Sequence, residues 1–159
     1  MPTDSLRSSL LASLHFVEIL GVPEAKLAQD ILTLSADVLP SHRAVDLEGR
    51  LGSAQSPLSV LAFAGEQLVG FKLGYSDRPG RFYSWLGGVA PDWRRQGIAR
   101  ESMARQHAWC RAQGFTRVRT HSTNTHRAML LLNLSWGFDV VGTVCPPGRG
   151  LRIVLEKGL

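Results

Sequence analysis

The sequence predicts an α/β (α+β) protein with a mixed, mostly antiparallel central sheet flanked by helices. Three apolar segments joined by short polar turns, at 58–63, 68–75 and 82–89, are typical of an antiparallel meander. A helical pattern at 97–113 and another strand pattern at 115–123 follow. Because a strand, a helix and a strand in this order form a parallel crossover, we expect the third and fourth of these strands to be neighbours.

The first 57 residues predict a mainly helical region. Residues 4–20 are rich in apolar side chains, which fits a helix or a helix that runs into a short strand near 14–19. Pro23 stands where a helix can begin, and apolar positions then recur at helical spacing up to about Leu39. A second short helix is expected over 41–51.

The segment after the crossover predicts a helix and two last strands. The stretch 129–134 is apolar almost all round, as in a helix buried on several sides, with Asn124 or Thr125 as its N-terminal cap. Gly137 is expected as a left-handed C-terminal cap, and strands follow at 138–144 and 151–156.

Glycines within the third strand point to a special backbone feature. Gly87 and Gly88 weaken a strand interior, and a β-bulge or a close approach of another part of the chain would explain their presence.

Residues 94–99 form a predicted anion site at the start of the long helix. The first N–H groups of a helix have no partner within it, and the helix dipole places partial positive charge there. Gly97 lets the backbone approach a ligand, and Arg94 and Arg95 add side chains suited to phosphate oxygens. The stretch therefore predicts a phosphorylated ligand.

The six residues Arg94-Arg95-Gln96-Gly97-Ile98-Ala99 match neither a dinucleotide fingerprint nor a P-loop. They match Gln/Arg-x-x-Gly-x-Gly/Ala, which resembles the acetyl-CoA pyrophosphate loop of the GNAT superfamily of N-acetyltransferases. The order of elements over roughly 58–156 resembles that family as well. The resemblance implies a GNAT-like fold with strands splayed at the acetyl-CoA site. It also implies acetyl transfer from acetyl-CoA to a primary amine of a small molecule or peptide, by direct attack in a ternary complex.

The resemblance also implies which residues hold acetyl-CoA. The end of the third strand would hydrogen-bond the pantetheine arm, the loop and helix start would hold the pyrophosphate, and the second helix would lie against the arm. The cofactor-binding residues implied are Gly88, Val89, Arg94, Arg95, Gln96, Gly97, Ile98, Ala99, Arg100, Asn124 and Asn133.

The catalytic candidates are Asn133 and Tyr83. The family often uses a Tyr in the second helix to protonate the departing thiolate, and the matching position here is Asn133, which cannot act as an acid but could hold the sulfur region by hydrogen bonding. A backbone N–H from Val89 or a neighbour would stabilise the oxyanion. The 82–89 strand has no carboxylate, so a water chain, Tyr83 or a base from the first 50 residues would activate the amine. Acids in that region that could face a cation, although surface carboxylates are the commoner explanation, are Glu18, Asp46 and Glu48.

Composition fits a single domain over 1–159, with 1–57 as the acceptor-side region and 58–159 as the cofactor-binding core. The chain is 44% hydrophobic and 19% charged, without an apolar run near the ~20 residues of a membrane span or a signal-peptide pattern. Cys110 and Cys145 give neither a disulfide framework nor metal-ligand spacing. We therefore expect a cytoplasmic protein that uses no metal and has no membrane partner.

The net charge of +5 is unevenly distributed. Eight arginines lie between positions 94 and 127, where Glu101 is the only acid. They form either a solvated basic face or a surround for a polyanion such as CoA. Because the chain lacks a zinc finger, a basic zipper and an aromatic RNA-binding signature, we expect no nucleic-acid partner. An acyl-CoA-binding or sensor domain with weak catalysis is the alternative function, and a homodimer is one option for the oligomeric state.

Overall fold

The computed structural model describes residues 13–39 and 46–159, which form a mixed α/β architecture. In chain order the elements are β1 (Leu14–Leu20), α1 (Ala25–Val38), α2 (Leu47–Ser53), β2 (Gln55–Ala64), β3 (Gln67–Arg78), β4 (Arg81–Val89), α3 (Ile98–Ala112), β5 (Arg117–Ser122), α4 (Arg127–Ser135), β6 (Asp139–Val144) and β7 (Arg152–Gly158). A short 3-10 helix, Pro91–Trp93, separates β4 from the loop before α3.

The strands of the described residues form one sheet in the order β1-β2-β3-β4-β5-β7-β6. β4 and β5 are parallel and are connected through α3, whereas every other neighbouring pair is antiparallel. The predicted fold class, the meander of β2, β3 and β4, and the parallel pairing after the crossover are all confirmed.

The N-terminal region contains a strand as well as helices. Of the two alternatives predicted for 4–20, the structure shows a strand over Leu14–Leu20, which pairs with β2 at the edge of the sheet. Residues 1–12 lie outside the described part of the chain. The helix expected over 41–51 is described from Leu47 onward, and residues 40–45 are likewise not described.

Apolar side chains are buried on both faces of the sheet. On one face, α1 and α2 cover β2, β3 and β4 through a cluster that includes Ile31, Leu51 and Phe71. On the other face, α3 packs on the sheet through a cluster that includes Phe82 and Met103. Because burial of apolar surface is the main favourable term in folding, these two layers hold the sheet between the helices.

The stripe of α3 that faces the sheet consists of buried side chains. Met103, His107 and Cys110 are each at most 1% exposed. Burial lowers the pKa of His107 to about 3 and raises the pKa of Cys110 to about 12, so both side chains are uncharged at neutral pH.

The structure separates the two explanations for the glycines of β4. The pairing of β4 with β3 shifts at Trp85, which has no partner on β3, so the predicted bulge lies there and not at Gly87-Gly88. A close approach is found at Gly88, where a Cβ would lie 2.5 Å from the Val38 side chain of α1. Gly88 therefore permits helix packing, and the bulge redirects the strand three residues earlier, at Trp85.

Two expectations for α4 are wrong and one is observed. The N-cap residue is His126, without a side-chain cap hydrogen bond, rather than Asn124 or Thr125. The helix is not buried on several sides, because Leu131 is 64% exposed and Leu134 is 42% exposed. The left-handed cap is found, since Gly137 has φ of 84°. Apolar periodicity misleads here because α4 covers the sheet with one side only.

No helix among residues 13–39 and 46–159 combines the length and the hydropathy that crossing a membrane would require.

Gly74→Ala should destabilise the protein by about 1–3 kcal/mol, which is typical of overpacking. Gly74 lies beside the bulge, where a Cβ would lie 2.6 Å from the Tyr83 carbonyl oxygen and would press against the Phe82 ring. The matched control is Gly142→Ala on β6, where a Cβ has no other atom within 4 Å. Thermal unfolding should show a lower Tm for the first variant and an unchanged or slightly higher Tm for the second. Equal losses in both would contradict the packing described here.

Candidate active site

β4 and β5 separate halfway along β4. Their parallel pairing ends at Ser84 and Thr120, where the Thr120 hydroxyl donates a hydrogen bond to the Ser84 carbonyl oxygen at 3.0 Å. Beyond this point β4 stays paired with β3 as far as Val89, and β5 stays paired with β7. The β5-facing backbone of residues 85–89 therefore has no strand partner and is available to a ligand.

The separation opens a narrow cleft between the sheet and the helices α3 and α4. Most of the side chains that line it are apolar or absent, with Lys72 and Ser102 as the polar exceptions. The lining residues are Phe71, Lys72, Gly87, Gly88, Val89, Ala99, Ser102, Met103, Met129 and Leu132. An apolar groove along a free strand edge suits an extended ligand arm that hydrogen-bonds like a strand.

The loop 94–97 and the start of α3 follow directly on this cleft. Arg95 and Gly97 have positive φ values of 60° and 81°, a backbone geometry that turns successive N–H groups toward a common side. No other atom lies within 4 Å of the place where a Gly97 Cβ would stand. An accessible helix N-terminus with convergent N–H groups fits a phosphate group.

The side chains of the loop are arranged around this N-terminus. The Arg94 Nε donates a hydrogen bond to the Val89 carbonyl oxygen at 3.2 Å, which ties the loop to the strand end. Arg95 and Arg100 are exposed, and no acidic side chain of the described residues pairs with either. Gln96 leaves a buried Oε1 without a hydrogen-bond partner among the described residues. The exposed guanidiniums of Arg95 and Arg100 fit the polyanionic pyrophosphate of CoA, whereas the Gln96 oxygen, an acceptor, does not contribute.

The remaining predicted cofactor residues occupy different surroundings. Ile98, 2% exposed, anchors the first turn of α3 in the core, and Ala99 lines the cleft. Asn124 is exposed in the turn before α4. Asn133 is 2% exposed within α4, but it is Met129 and Leu132 that this helix presents to the cleft.

An aromatic cluster lies on the α1–α2 face of the sheet, at the point where β4 and β5 separate. The Tyr83 ring lies 5.2 Å from the His121 ring across the two strands and 5.6 Å from the Tyr75 ring. Trp85 lies 6.0 Å from Tyr75, and the Arg50 guanidinium lies 5.6 Å from the Trp85 ring. The opening between the strands thus has the cleft on one face and this cluster on the other.

Burial sets the protonation of the cluster. It raises the pKa of Tyr83 to about 12, so the phenol stays protonated and donates hydrogen bonds at neutral pH. Burial, followed by the nearby charges of Arg119 and Arg152, lowers the pKa of His121 below its ordinary value of 6.5. A neutral imidazole can accept a proton, so His121 has the protonation state of a base and Tyr83 that of a donor.

An ion-pair network holds the strand of His121 in place. The Glu156 carboxylate of β7 accepts hydrogen bonds from Arg117 at 2.8 Å and from Arg119 at 2.9 Å, and Arg81 of β4 lies 3.7 Å from it. Burial acts to raise the pKa of Glu156, but the hydrogen bonds from Arg119 and Arg117 outweigh this effect and lower it. The charged carboxylate therefore fastens β5 to β7 where β4 diverges.

Two of the three N-terminal carboxylates have structural roles. The Glu18 carboxylate lies 3.7 Å from Arg105 of α3, on the face opposite the aromatic cluster. The Asp46 side chain accepts a hydrogen bond from the Gly49 amide at 2.8 Å and so caps α2. Glu48 is exposed. Because Glu18 and Asp46 are engaged in these contacts, they do not support the prediction of a catalytic base within the first 50 residues.

Sequence reasoning does not identify Lys72 and His121 as site residues. Lys72 looks like an ordinary polar position in a strand, and only its burial, at 8% exposure, and its place in the cleft distinguish it. For His121 the predicted parallel pairing of β4 and β5 was a partial signal, but the last pair, which lies just before His121, is known only from the structure.

No group of three or more His, Cys, Asp or Glu side chains within residues 13–39 and 46–159 is arranged to hold a metal ion.

The chain belongs to the GNAT family of acetyltransferases. The model of the Acetyltransferase (GNAT) family matches residues 28–138, which is more than half of the chain. The family uses acetyl-CoA, and the free strand edge, the open helix start and the unpaired arginines described above fit that co-substrate. The protein is accordingly an acyltransferase.

Solved structures of this family share the fold. The ribosomal-protein-S18-alanine N-acetyltransferase of Escherichia coli is 15% identical with a TM-score of 0.71, over 89% of this chain and 94% of that one. Naa50 of Arabidopsis thaliana, in complex with the bisubstrate analogue CoA-Ac-MVNAL, is 18% identical with a TM-score of 0.74, over 92% and 99%. A GCN5-related N-acetyltransferase of Kribbella flavida is 18% identical with a TM-score of 0.73, over 93% and 99%. No curated protein sequence matches the chain significantly.

Gly97→Val should abolish acetyl-CoA binding, because a branched side chain would fill the helix start and oppose the left-handed backbone. Gly114→Val is the matched control: Gly114 follows the other end of α3 with φ of 84°, and a Cβ there also has no other atom within 4 Å. Both variants should lose similar stability, of about 1–2 kcal/mol. Isothermal titration calorimetry should show lost affinity for the first only. Unchanged affinity in a folded Gly97→Val protein would contradict the site.

Proposed function

We propose that the protein transfers the acetyl group of acetyl-CoA to a primary amine of a small molecule or peptide, by direct attack in a ternary complex. The observation that carries this proposal is the opening between β4 and β5, which has the cofactor cleft on one face and the Tyr83–His121 pair on the other. A thioester in the cleft and an amine beside the aromatic cluster would meet there. Direct attack is favoured because Cys110, the cysteine of α3, is buried with a raised pKa and is not suited to act as a nucleophile.

In this proposal acetyl-CoA binds along the free edge of β4. The backbone of Gly88 and Val89 would hydrogen-bond the pantetheine arm, and an N–H of this edge would also stabilise the oxyanion. The pyrophosphate would bind the loop and the first turn of α3, from Arg94 to Arg100. Positioning the two reactants in one opening would supply much of the rate enhancement.

His121 is the proposed base for the amine, and Tyr83 is the proposed hydrogen-bond donor that orients it. The rings are 5.2 Å apart, and the lowered pKa of His121 keeps its imidazole neutral. Since burial raises the pKa of Tyr83 to about 12, the tyrosine serves this site better as a donor than as a base. Asn133 stays a proposed positioning residue at the α4 side of the site.

The charges around the cluster favour an acceptor whose amine stands next to an uncharged or anionic group. The charges of Arg50 and Arg152 both act to lower the pKa of Tyr83, against the larger effect of burial, which raises it. A second cationic group on the acceptor would be repelled by these guanidiniums. A peptide N-terminus and a small amino acid derivative both meet this condition.

We further propose a cytoplasmic location, because the free Cys145 thiol is exposed and Cys110 is reduced in the core. A single domain over 1–159 is part of the same proposal, with a homodimer as one option for the oligomeric state.

The direct test is release of free CoA thiol from acetyl-CoA in the presence of a panel of primary amines, with mass spectrometry of the product. Turnover with at least one amine is the expected result. Calorimetric binding of acetyl-CoA without thiol release across small amines and peptides would favour the alternative, a domain that binds acyl-CoA without turnover.

His121→Asn should reduce kcat by about 10²–10⁴-fold, the usual contribution of a general base. In the wild type, kcat at saturating substrates should rise with pH through the lowered pKa of His121, below pH 6.5, because only the neutral imidazole accepts the proton. The variant should lack this limb. His15→Asn on the edge strand β1 is the control and should keep it. A wild-type limb that persists in His121→Asn would assign the base elsewhere.

A further inference from the structure

Lys72 is a buried cation in the wall of the cofactor cleft. Lys72 is 8% exposed, and it lines the cleft together with Gly87, Gly88 and Val89. No acidic side chain of the described residues forms an ion pair with it, and no hydrogen bond to its ammonium is found among them. A buried ammonium without a partner is costly, so such a group is retained where a ligand supplies negative charge.

Lys72 and Gly87 lie side by side in the wall of the cleft. The two residues are paired across β3 and β4, and the Lys72 Nζ would lie 3.9 Å from a Cβ built on Gly87. The ammonium therefore lies over the part of β4 whose backbone edge faces the opening. Among the residues that line the cleft, Lys72 is the ionisable one.

The reaction needs an acid at this place. When the C–S bond of the tetrahedral intermediate breaks, the sulfur leaves with the electron pair and carries negative charge. Asn133, which stands where the family often has a tyrosine, has no proton to give at neutral pH and does not line the cleft. The phosphates of CoA are accounted for by the loop 94–97, beyond the end of β4.

We propose that Lys72 protonates the departing thiolate of CoA and holds it as an ammonium partner until the proton is transferred. The proposal rests on the proposed acetyltransferase function. The neutral acceptor amine attacks the thioester carbonyl, the C–N bond forms, and the C–S bond then breaks. His121 takes the proton from the attacking nitrogen, and the Lys72 Nζ gives one proton to the sulfur. The products are the amide, CoA thiol, a protonated His121 and a neutral Lys72, and exchange with solvent restores both residues.

The protonation of Lys72 is matched to this task. Burial lowers the pKa of Lys72 to about 8. A thiol has a pKa of roughly 8–9, so the two groups exchange a proton with little difference in free energy. The groups that face Lys72 from α3 do not compete for this proton, because His107 and Cys110 are both uncharged at neutral pH.

The test compares Lys72→Met, which removes the charge, with Lys72→Arg, which keeps it but does not release a proton at neutral pH. We expect kcat to fall about 10²-fold in Lys72→Met with a KM for acetyl-CoA within a few-fold of wild type. In the wild type kcat should also decline above about pH 8, as Lys72 loses its proton, and this limb should disappear in both variants. Lys26→Met, on the exposed face of α1, should match the wild type throughout.

A second measurement needs no turnover. The thiol of CoA bound to the protein can be titrated by the ultraviolet absorbance of its thiolate. In the wild type and in Lys72→Arg, the neighbouring cation should lower the pKa of the bound thiol below that of free CoA. In Lys72→Met the pKa should rise by at least one unit, which is a tenfold change in the thiolate equilibrium. The Tm of Lys72→Met should not fall, because a buried charge is removed, and this separates loss of function from misfolding.

Three outcomes would overturn the role of Lys72. An unchanged pKa of the bound thiol in Lys72→Met would show that the ammonium does not contact the sulfur. A wild-type pH profile in Lys72→Met would assign the acid elsewhere. Stoichiometric acetylation of Lys72 after incubation with acetyl-CoA alone would make it an acceptor and not an acid. If the wild type releases no thiol with any amine, the acetyltransferase function fails, while the thiol titration still decides whether Lys72 contacts the sulfur.

Discussion

The end of pairing between β4 and β5 at Ser84 and Thr120 is the constraint on which the rest of the molecule depends. A parallel pair that stops halfway leaves backbone N–H and C=O groups without partners, and such groups are costly in a protein interior. The separation persists because β4 is paired with β3 and β5 is paired with β7. Glu156 of β7 forms ion pairs with Arg81, Arg117 and Arg119. A ligand that pairs with the free edge would satisfy those groups, which is why this unpaired backbone is the proposed binding site.

The two proposed proton transfers lie on opposite faces of this opening. The cleft face would stabilise negative charge, and the face with the aromatic cluster would accept a proton. On the cleft side, Lys72 is the ionisable residue of a mostly apolar lining, and in the proposed reaction it would attract developing negative charge. On the opposite face, burial and then the nearby charges of Arg119 and Arg152 lower the pKa of His121 and keep it neutral, which would suit removal of a proton from an amine. Burial lowers the pKa of both side chains, yet the outcome differs, because Lys72 remains largely protonated near neutral pH and His121 does not.

Membership of the GNAT family accounts for the architecture but leaves the acid, the base and the acceptor to this chain's own residues. The fold supports many acceptors on one cofactor scaffold, so its presence alone does not choose among them. Here the tyrosine expected in α4 is replaced by Asn133 and no carboxylate lies on β4. The proposed roles of Lys72 and His121 fill these two places from neighbouring strands. Their positions follow from the pairing of β4 with β3 on one side and with β5 on the other.

The sequence by itself determined the features that depend on local pattern. The meander, the α3 crossover, the loop 94–97 and the left-handed Gly137 follow from turn residues, periodicity and glycine placement, and the structure has all of them. Only the tertiary structure decided where β4 leaves β5, that the bulge lies at Trp85, that α4 exposes Leu131, and that Lys72 is buried. These features depend on which surfaces meet after folding. From the sequence alone, a lysine in a strand that is buried beside a cleft cannot be distinguished from one that is exposed to water, because the difference depends on the neighbouring strands and helices.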